Sequence, residues 1–364
     1  MLVRLLEARG FRNLGHAEIE PAEGVTVIHG PNGAGKTNLL EALCFGLTGA
    51  SWRTRTDREL IGFDERLARA EVTVADRADR RRFIATADRT DGRRHRIDGN
   101  PVSASSLSQR PTLEVFSPDR LSLIKGPPAS RRRHLDRFIA ALWPARAELR
   151  RRFGRALAQR NAALNRIRAG TATGDALGAW DAELAAEAAT LVEARDAAVA
   201  LLAASFGSLG AALGLPGEAT IAYRPRTGAA NAATIVEQLR ERHAADIDRG
   251  HTTHGPHLDE VEIGLAGRPV RRFGSQGEQR TALLALLFAE REALREARRI
   301  PPLMLLDDVM SELDPDRRRL LVELLAWGGQ ALVTATEPSQ VPDHYERAEV
   351  EIDAGRVGAG AGVR

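Results

Sequence analysis

Two sets of residues in this chain have the types and spacing needed to handle phosphates. Gly30-Pro31-Asn32-Gly33-Ala34-Gly35-Lys36-Thr37 fits the pattern G-x-x-x-x-G-K-[ST]. Its glycines let the backbone wrap closely, so that amide N–H groups and a helix N-terminus face anionic oxygens. Lys36 offers a point charge to β- and γ-phosphates, and the Thr37 hydroxyl is a ligand type that suits Mg²⁺. Far downstream, Leu303-Met304-Leu305-Leu306 runs straight into Asp307-Asp308. A buried parallel strand would deliver Asp307 beside the phosphate loop, as a second Mg²⁺ ligand acting directly or through water. Asp308 would then lie near an attacking water, as a candidate catalytic base.

Gly274-Ser275-Gln276-Gly277-Glu278-Gln279-Arg280 opens a strongly apolar helical stretch and has two readings. Serine and glycine at a helix start can present hydroxyl and amide donors to an anion, or can simply cap the helix. His251, His254 and His257 with Asp259 have spacings suggestive of a metal site. Gly255-Pro256 interrupts any helix there, so a loop shaped by glycine and proline is the preferred reading.

The elements that must position these residues follow from the pattern of apolar residues and breakers. Leu2–Ala8 and Val25–His29 read as strands, the second leading into the phosphate loop and a helix over Asn38–Leu47. Residues 71–76, 81–87 and 93–98 predict a small antiparallel sheet, with turns at Asp91-Gly92 and Asp98-Gly99. Long alanine-rich helices follow from about 130 to 204, interrupted at Pro144 and around Gly170–Gly178. Further on, 219–224 and 258–265 read as strands and 232–247 as helix. Helices over 276–298 and 316–326 alternate with a buried strand over 302–307 and a strand over 330–335.

Sheet elements at both ends enclosing a helical middle predict an α/β head with an inserted helical lobe. The expected boundaries are 1–129 for the N-terminal part of the head, 130–250 for the lobe and 251–354 for the C-terminal part. The glycine-rich tail 355–364 is expected to be disordered.

At 364 residues the chain is long enough for a sizeable core. Its one cysteine, Cys44, rules out an internal disulfide and suits a cytosolic setting. No apolar run approaches the length of a membrane span, and the N-terminus does not read as a signal peptide. Lys36 and Lys125 are the only lysines among 52 basic residues, a bias that fits base composition. The net charge of +3 means that only local patches could attract nucleic acid.

One such patch is in the lobe. Residues 131–169 hold twelve arginines against Asp136 and Glu148, whereas 175–204 hold six acids against Arg195. Two antiparallel helices carrying these charges would partly neutralise one another. On a helical wheel Leu149, Phe153, Leu157, Leu164 and Ile167 share one side, and Arg151, Arg155 and Arg166 share the opposite one. The exposed three are the candidate DNA contacts. Arg160 falls within the apolar stripe and is expected to pair with an acid of 175–204.

The order of motifs resembles the ABC-type ATPase head, and more narrowly the RecF family, compact relatives of the SMC proteins. The matching residues are Phe11-Arg12-Asn13, Gly30–Thr37, Phe116–Asp119, Lys125-Gly126, Arg131–Asp136, Gly255–His257, Gly274–Arg280 and Leu305–Asp314. The resemblance implies that Arg12 and Asn13 reach the nucleotide. It implies that Ser275, with Gln276 and Gly277, contacts the γ-phosphate held by a second copy, so that an ATP-dependent homodimer holds DNA. It further implies DNA repair and replication work on single-stranded or gapped DNA, with RecR and RecO, to load RecA. Slow ATP hydrolysis would serve as a release timer.

Two departures stand out: Leu258 replaces the arginine usual after Gly255–His257, and Thr334-Ala335-Thr336 stands where transport ATPases carry a histidine. The rival reading is the soluble ATPase subunit of a transporter, which S-Q-G-E-Q, the missing histidine and the helical insert disfavour. A full SMC arm protein fails on length.

Overall fold

Two segments 270 residues apart in sequence come together in this fold. In the computed structural model, residues 2–76, 79–102, 111–228, 231–326, 328–342, 347–358 and 362–363 are described. The chain opens with strands β1 (Leu2–Phe11), β2 (Leu14–Ile19) and β3 (Val25–His29), then helix α1 (Lys36–Thr48). Strands β4 (Leu67–Asp76), β5 (Asp79–Asp88), β6 (Gly92–Ile97), β7 (Asn100–Pro101) and β8 (Leu113–Phe116) follow. A helical run holds α2 (Ser122–Lys125), α3 (Pro128–Leu142), α4 (Leu149–Arg168) and α5 (Leu177–Ala212). Next come β9 (Ala219–Arg224), α6 (Ala232–Glu241), α7 (His243–Arg249), β10 (Glu260–Leu265), β11 (Arg268–Pro269), α8 (Val270–Phe273) and α9 (Gln276–Arg298). The chain finishes with β12 (Leu303–Leu306), α10 (Pro315–Ala326), β13 (Ala331–Ala335), β14 (Arg347–Asp353), β15 (Arg356–Val357) and β16 (Gly362–Val363).

The chain divides into two compact units, one of residues 1–121, 212–214 and 294–364, the other of 122–211 and 215–293. In the first unit, the antiparallel sheet runs β2-β1-β4-β5-β6-β7 and is larger than the small sheet expected, because β1 and β2 join it. A second sheet runs β15-β14-β3-β13-β12-β8, with parallel pairing from β14 through to β8. Helix α1 packs against both sheets, and every residue from Leu39 to Leu47 is buried. A helix buried on every side over these turns belongs in such a layer. It packs closely enough that a Cβ on Gly46 would lie 2.6 Å from the Val72 side chain.

The second unit is helical with a small β9-β10-β11 sheet. Arginine-rich α4 and acidic α5 pair antiparallel, as their charges predict. Arg160 meets Asp181 at 2.8 Å, Arg152 meets Glu187 at 2.6 Å, and Arg146, just before α4, meets Glu193 at 3.7 Å. Arg160 is fully buried and also donates to Asp246 and Thr252. Arg195 is nearly buried, held by Asp136 and Asp259 and donating to the Pro256 carbonyl.

Two expectations about boundaries need correction. Residues 251–293 fall in the second unit with the helices, whereas a continuous C-terminal part of the head from 251 was expected. The tail expected to be disordered is partly strand: β15 and β16 both pair with β14. Glycine content there serves tight turns, with Gly355 at φ +78.

Candidate functional site: a phosphate loop facing paired carboxylates

Two glycines shape the loop between β3 and α1. A Cβ on Gly30, at φ +148, would lie 2.0 Å from the Ile352 carbonyl oxygen of β14. On Gly35, at φ +115, it would meet Asn13 Oδ1 at 3.0 Å. Lys36 Nζ folds over the loop and donates to the carbonyls of Gly30 and Pro31 at 2.7 and 2.9 Å. Partial burial pulls its pKa below the ordinary lysine value, a shift opposed by the charges of Asp308 and Asp307.

Strand order explains the meeting of distant segments. β3 and β12 are separated only by β13, so the turns after β3 and β12 open on the same edge of the sheet. Thr37 Oγ1 donates to Asp307 Oδ1 at 2.8 Å. The intervening strand supplies Thr334, which donates to the same carboxylate oxygen at 3.0 Å and accepts the Asp308 N–H at 2.8 Å. Burial raises the Asp307 pKa, against the lowering effect of the two hydroxyls. A buried carboxylate beside a hydroxyl is an oxygen donor set of the kind a small hard cation takes. Asp308 itself is exposed and has φ +51, a conformation that aspartate tolerates better than most residues.

The remaining site residues fall into separate places. Asn13 donates to the Gly33 carbonyl at 3.3 Å, beside the loop. Arg12 forms a two-pronged pair with buried Glu41, at 2.5 and 2.8 Å. Ser275 is exposed at the start of α9 and forms a reciprocal capping box with Glu278. Its N–H donates to Glu278 Oε2 at 2.6 Å and its Oγ accepts the Glu278 N–H at 3.2 Å, which leaves the hydroxyl proton to donate outward. The structure shows the capping reading of S-Q-G-E-Q, with the serine hydroxyl on the surface.

Arg151, Arg155 and Arg166 are exposed on α4, and Arg151 is ion-paired to Glu148. The three histidines do not converge. His251 bonds the Arg249 carbonyl, His254 bonds Gln238, and His257 donates to the Thr252 carbonyl while stacking on Phe153. Asp259 accepts from Tyr223 and from the Arg226 N–H.

Several participants escaped the sequence reading. Thr334 was visible only as a missing histidine. Glu41, Asn38 and Arg53 carried no motif. Gly355, assigned to a loose tail, donates its N–H to the Ala34 carbonyl of the phosphate loop at 2.8 Å.

The family model described as the RecF/RecN/SMC N terminal domain matches residues 2–355. The chain belongs to that family. It is 35% identical to the DNA replication and repair protein RecF of Heliobacterium modesticaldum, over 98% of this chain and 99% of that protein. The RecF protein of Anaeromyxobacter sp. (strain Fw109-5) is 39% identical over 93% of this chain and 94% of its own length. Among solved structures, the recombination mediator protein RecF with ATP, of the RecFOR pathway, superposes with a TM-score of 0.87 at 28% identity. That match covers 98% of this chain and 96% of the other. An SMC head bound to the winged-helix domain of ScpA shares the fold, at a TM-score of 0.59 and 17% identity. The α/β ABC-type head read from the motif order is therefore the fold, and the transporter-subunit reading gives way to the RecF branch. No described helix is long and apolar enough to cross a membrane.

Proposed function

We propose that this chain is an ATP-dependent DNA-binding protein of recombinational repair and replication, acting in the cytoplasm. The carrying observation is the convergence of Lys36, Thr37, Asp307 and Thr334 on one edge of the parallel sheet. Gly30–Thr37 hold the phosphates, and Lys36 swings from its two carbonyl acceptors to the β- and γ-oxygens. Mg²⁺, held by Thr37 and Asp307, supplies neutralisation of phosphate charge when bound. Asp308 orients the attacking water through a side chain one methylene shorter than glutamate, which suits slow turnover. Ser275 reaches the γ-phosphate of a second copy, so two chains close on two ATP molecules and hold DNA between them. The partners are DNA, RecR and, in the same pathway, RecO and RecA.

Support comes from the sequence match to RecF proteins across nearly the whole chain and from the built phosphate loop. The test is sedimentation and DNA binding with and without ATP, on gapped, single-stranded and duplex DNA. ATP should convert monomer to dimer and raise affinity for gapped DNA. Equal sedimentation and equal DNA affinity in both conditions would refute the proposal.

A further inference from the structure

Glu41 is a fully buried carboxylate in the middle of α1, one turn beyond Thr37, and it accepts from three donors. Arg12 takes both oxygens, Ser51 Oγ donates to Oε1 at 2.5 Å, and Arg53 donates to Oε2 at 3.0 Å. A carboxylate so buried must be paired and hydrogen-bonded, since an uncompensated charge there is strongly destabilising. Ser51 also accepts the N–H groups of Arg53 and Thr54, so the 51–54 turn is folded about its anchor on Glu41.

The chemistry of the donors makes this network directional. Arg53 has no acceptor, so where its NH1 also reaches Asn38, at 2.8 Å, that amide must present its oxygen. The Asn38 nitrogen then faces outward and donates to Asn13 Oδ1 at 2.7 Å. Asn13, with its oxygen occupied, must turn its nitrogen to the Gly33 carbonyl of the phosphate loop. Each amide orientation is forced by the one before it, and the sequence begins at a negative charge that fixes Arg53. Asn13 in turn packs against Gly35, where a Cβ would be 3.0 Å away.

We infer that Glu41 is a positioning residue for the nucleotide site, acting through Arg53, Asn38 and Asn13 to hold the phosphate loop in its anion-ready shape without touching the ligand. This rests on the reading of Gly30–Thr37 as the ATP site. Neutralising Glu41 releases Arg53 from one of its two acceptors, and the amides of Asn38 and Asn13 become free to turn over. The cost falls on ATP affinity and is shared with Asn13, because both side chains belong to one chain of bonds.

The experiment is a double-mutant cycle on the full chain, with ATP affinity measured by calorimetry and melting followed in parallel. The parent should bind ATP and Lys36→Ala should not. If the parent fails to bind, or Lys36→Ala binds as well as the parent, the ATP reading falls and takes the relay with it. With that reading secure, Glu41→Gln should weaken ATP binding about tenfold, the effect of one charge-assisted hydrogen bond. Asn13→Ala should weaken it as well, and the double variant should bind no more weakly than the worse single one. Parent-like affinity in Glu41→Gln, or effects that multiply in the double variant, overturns the inference. Should Glu41→Gln fail to fold, Arg53→Gln replaces it in the same cycle, with the same two outcomes deciding. A purely structural role would lower the melting temperature without producing coupling to Asn13.

Discussion

Arg160 and Asp181 meet at 2.8 Å with neither side chain exposed at all, joining α4 to α5. The same guanidinium holds Asp246 at 2.7 Å, so one cation serves two buried carboxylates. Removing it leaves Asp246 without a cation and Asp181 with only His243, whose Nε2 lies 2.6 Å away. Arg160→Ala should destabilise the chain by about 3–5 kcal/mol, read as a lower denaturation midpoint. A change under about 1 kcal/mol would mean that water enters and screens the acids.

His257 gives the second unit a pH dependence. Burial pulls its pKa below the ordinary value, assisted by the charge of Arg132, and its Nδ1 is buried with no hydrogen-bond partner. The unfolded chain therefore takes up the proton more readily than the folded one. Its stabilising contribution is full above the unfolded value of about 6.5. It is lost as pH falls through that value toward the folded one, and then levels off. Melting temperatures should fall between pH 7 and 5, and His257→Gln should flatten that slope. An unchanged slope would remove His257 as the cause.

Ser275 stands exposed, its Oγ accepting the Glu278 N–H. Ser275→Arg should leave ATP binding by a single chain intact while preventing ATP-driven dimerisation. Dimers of normal affinity in that variant would show that the serine does not act across an interface.

Asp308 is exposed, and its backbone is held by Thr334. Asp308→Asn should keep ATP bound, slow hydrolysis at least about tenfold and lengthen the lifetime of the DNA-bound dimer. Parent-like hydrolysis would exclude a role with the attacking water.

On α4, Arg155 and Arg166 are exposed, whereas Arg151 is tied to Glu148. Arg155→Gln with Arg166→Gln should flatten the salt dependence of duplex binding by up to about 0.9 per lost phosphate contact, equally for all sequences. Glu148→Gln, which frees Arg151, should steepen it. A parent-like slope in both variants would put the DNA path elsewhere.

Much of this was legible because the chemistry needed local patterns. The phosphate loop is eight consecutive residues, and Asp307 is the first polar residue after a buried strand. The position of Arg160 within the apolar stripe of α4 was enough to predict a buried acidic partner. The network behind the loop was not legible, because Glu41 looks like any helical glutamate until the 51–54 turn folds onto it. Nor was Gly355, since glycine signals a tight turn and a loose tail equally. Arg12, which the resemblance brought to the nucleotide, is paired with Glu41 here, whereas Asn13 bonds the loop carbonyl of Gly33.

The placement of β3 bears on how the chain is made. This strand, residues 25–29, lies between β13 and β14, residues 331–335 and 347–353. A ribosome therefore holds the phosphate loop without either flanking strand until almost the whole of this sequence has emerged. Pairings of such long sequence separation are slow to close. The edge that carries Lys36 is therefore completed only after the strands that flank β3 are made, whereas the antiparallel sheet that also covers α1 draws on early residues and can pair sooner.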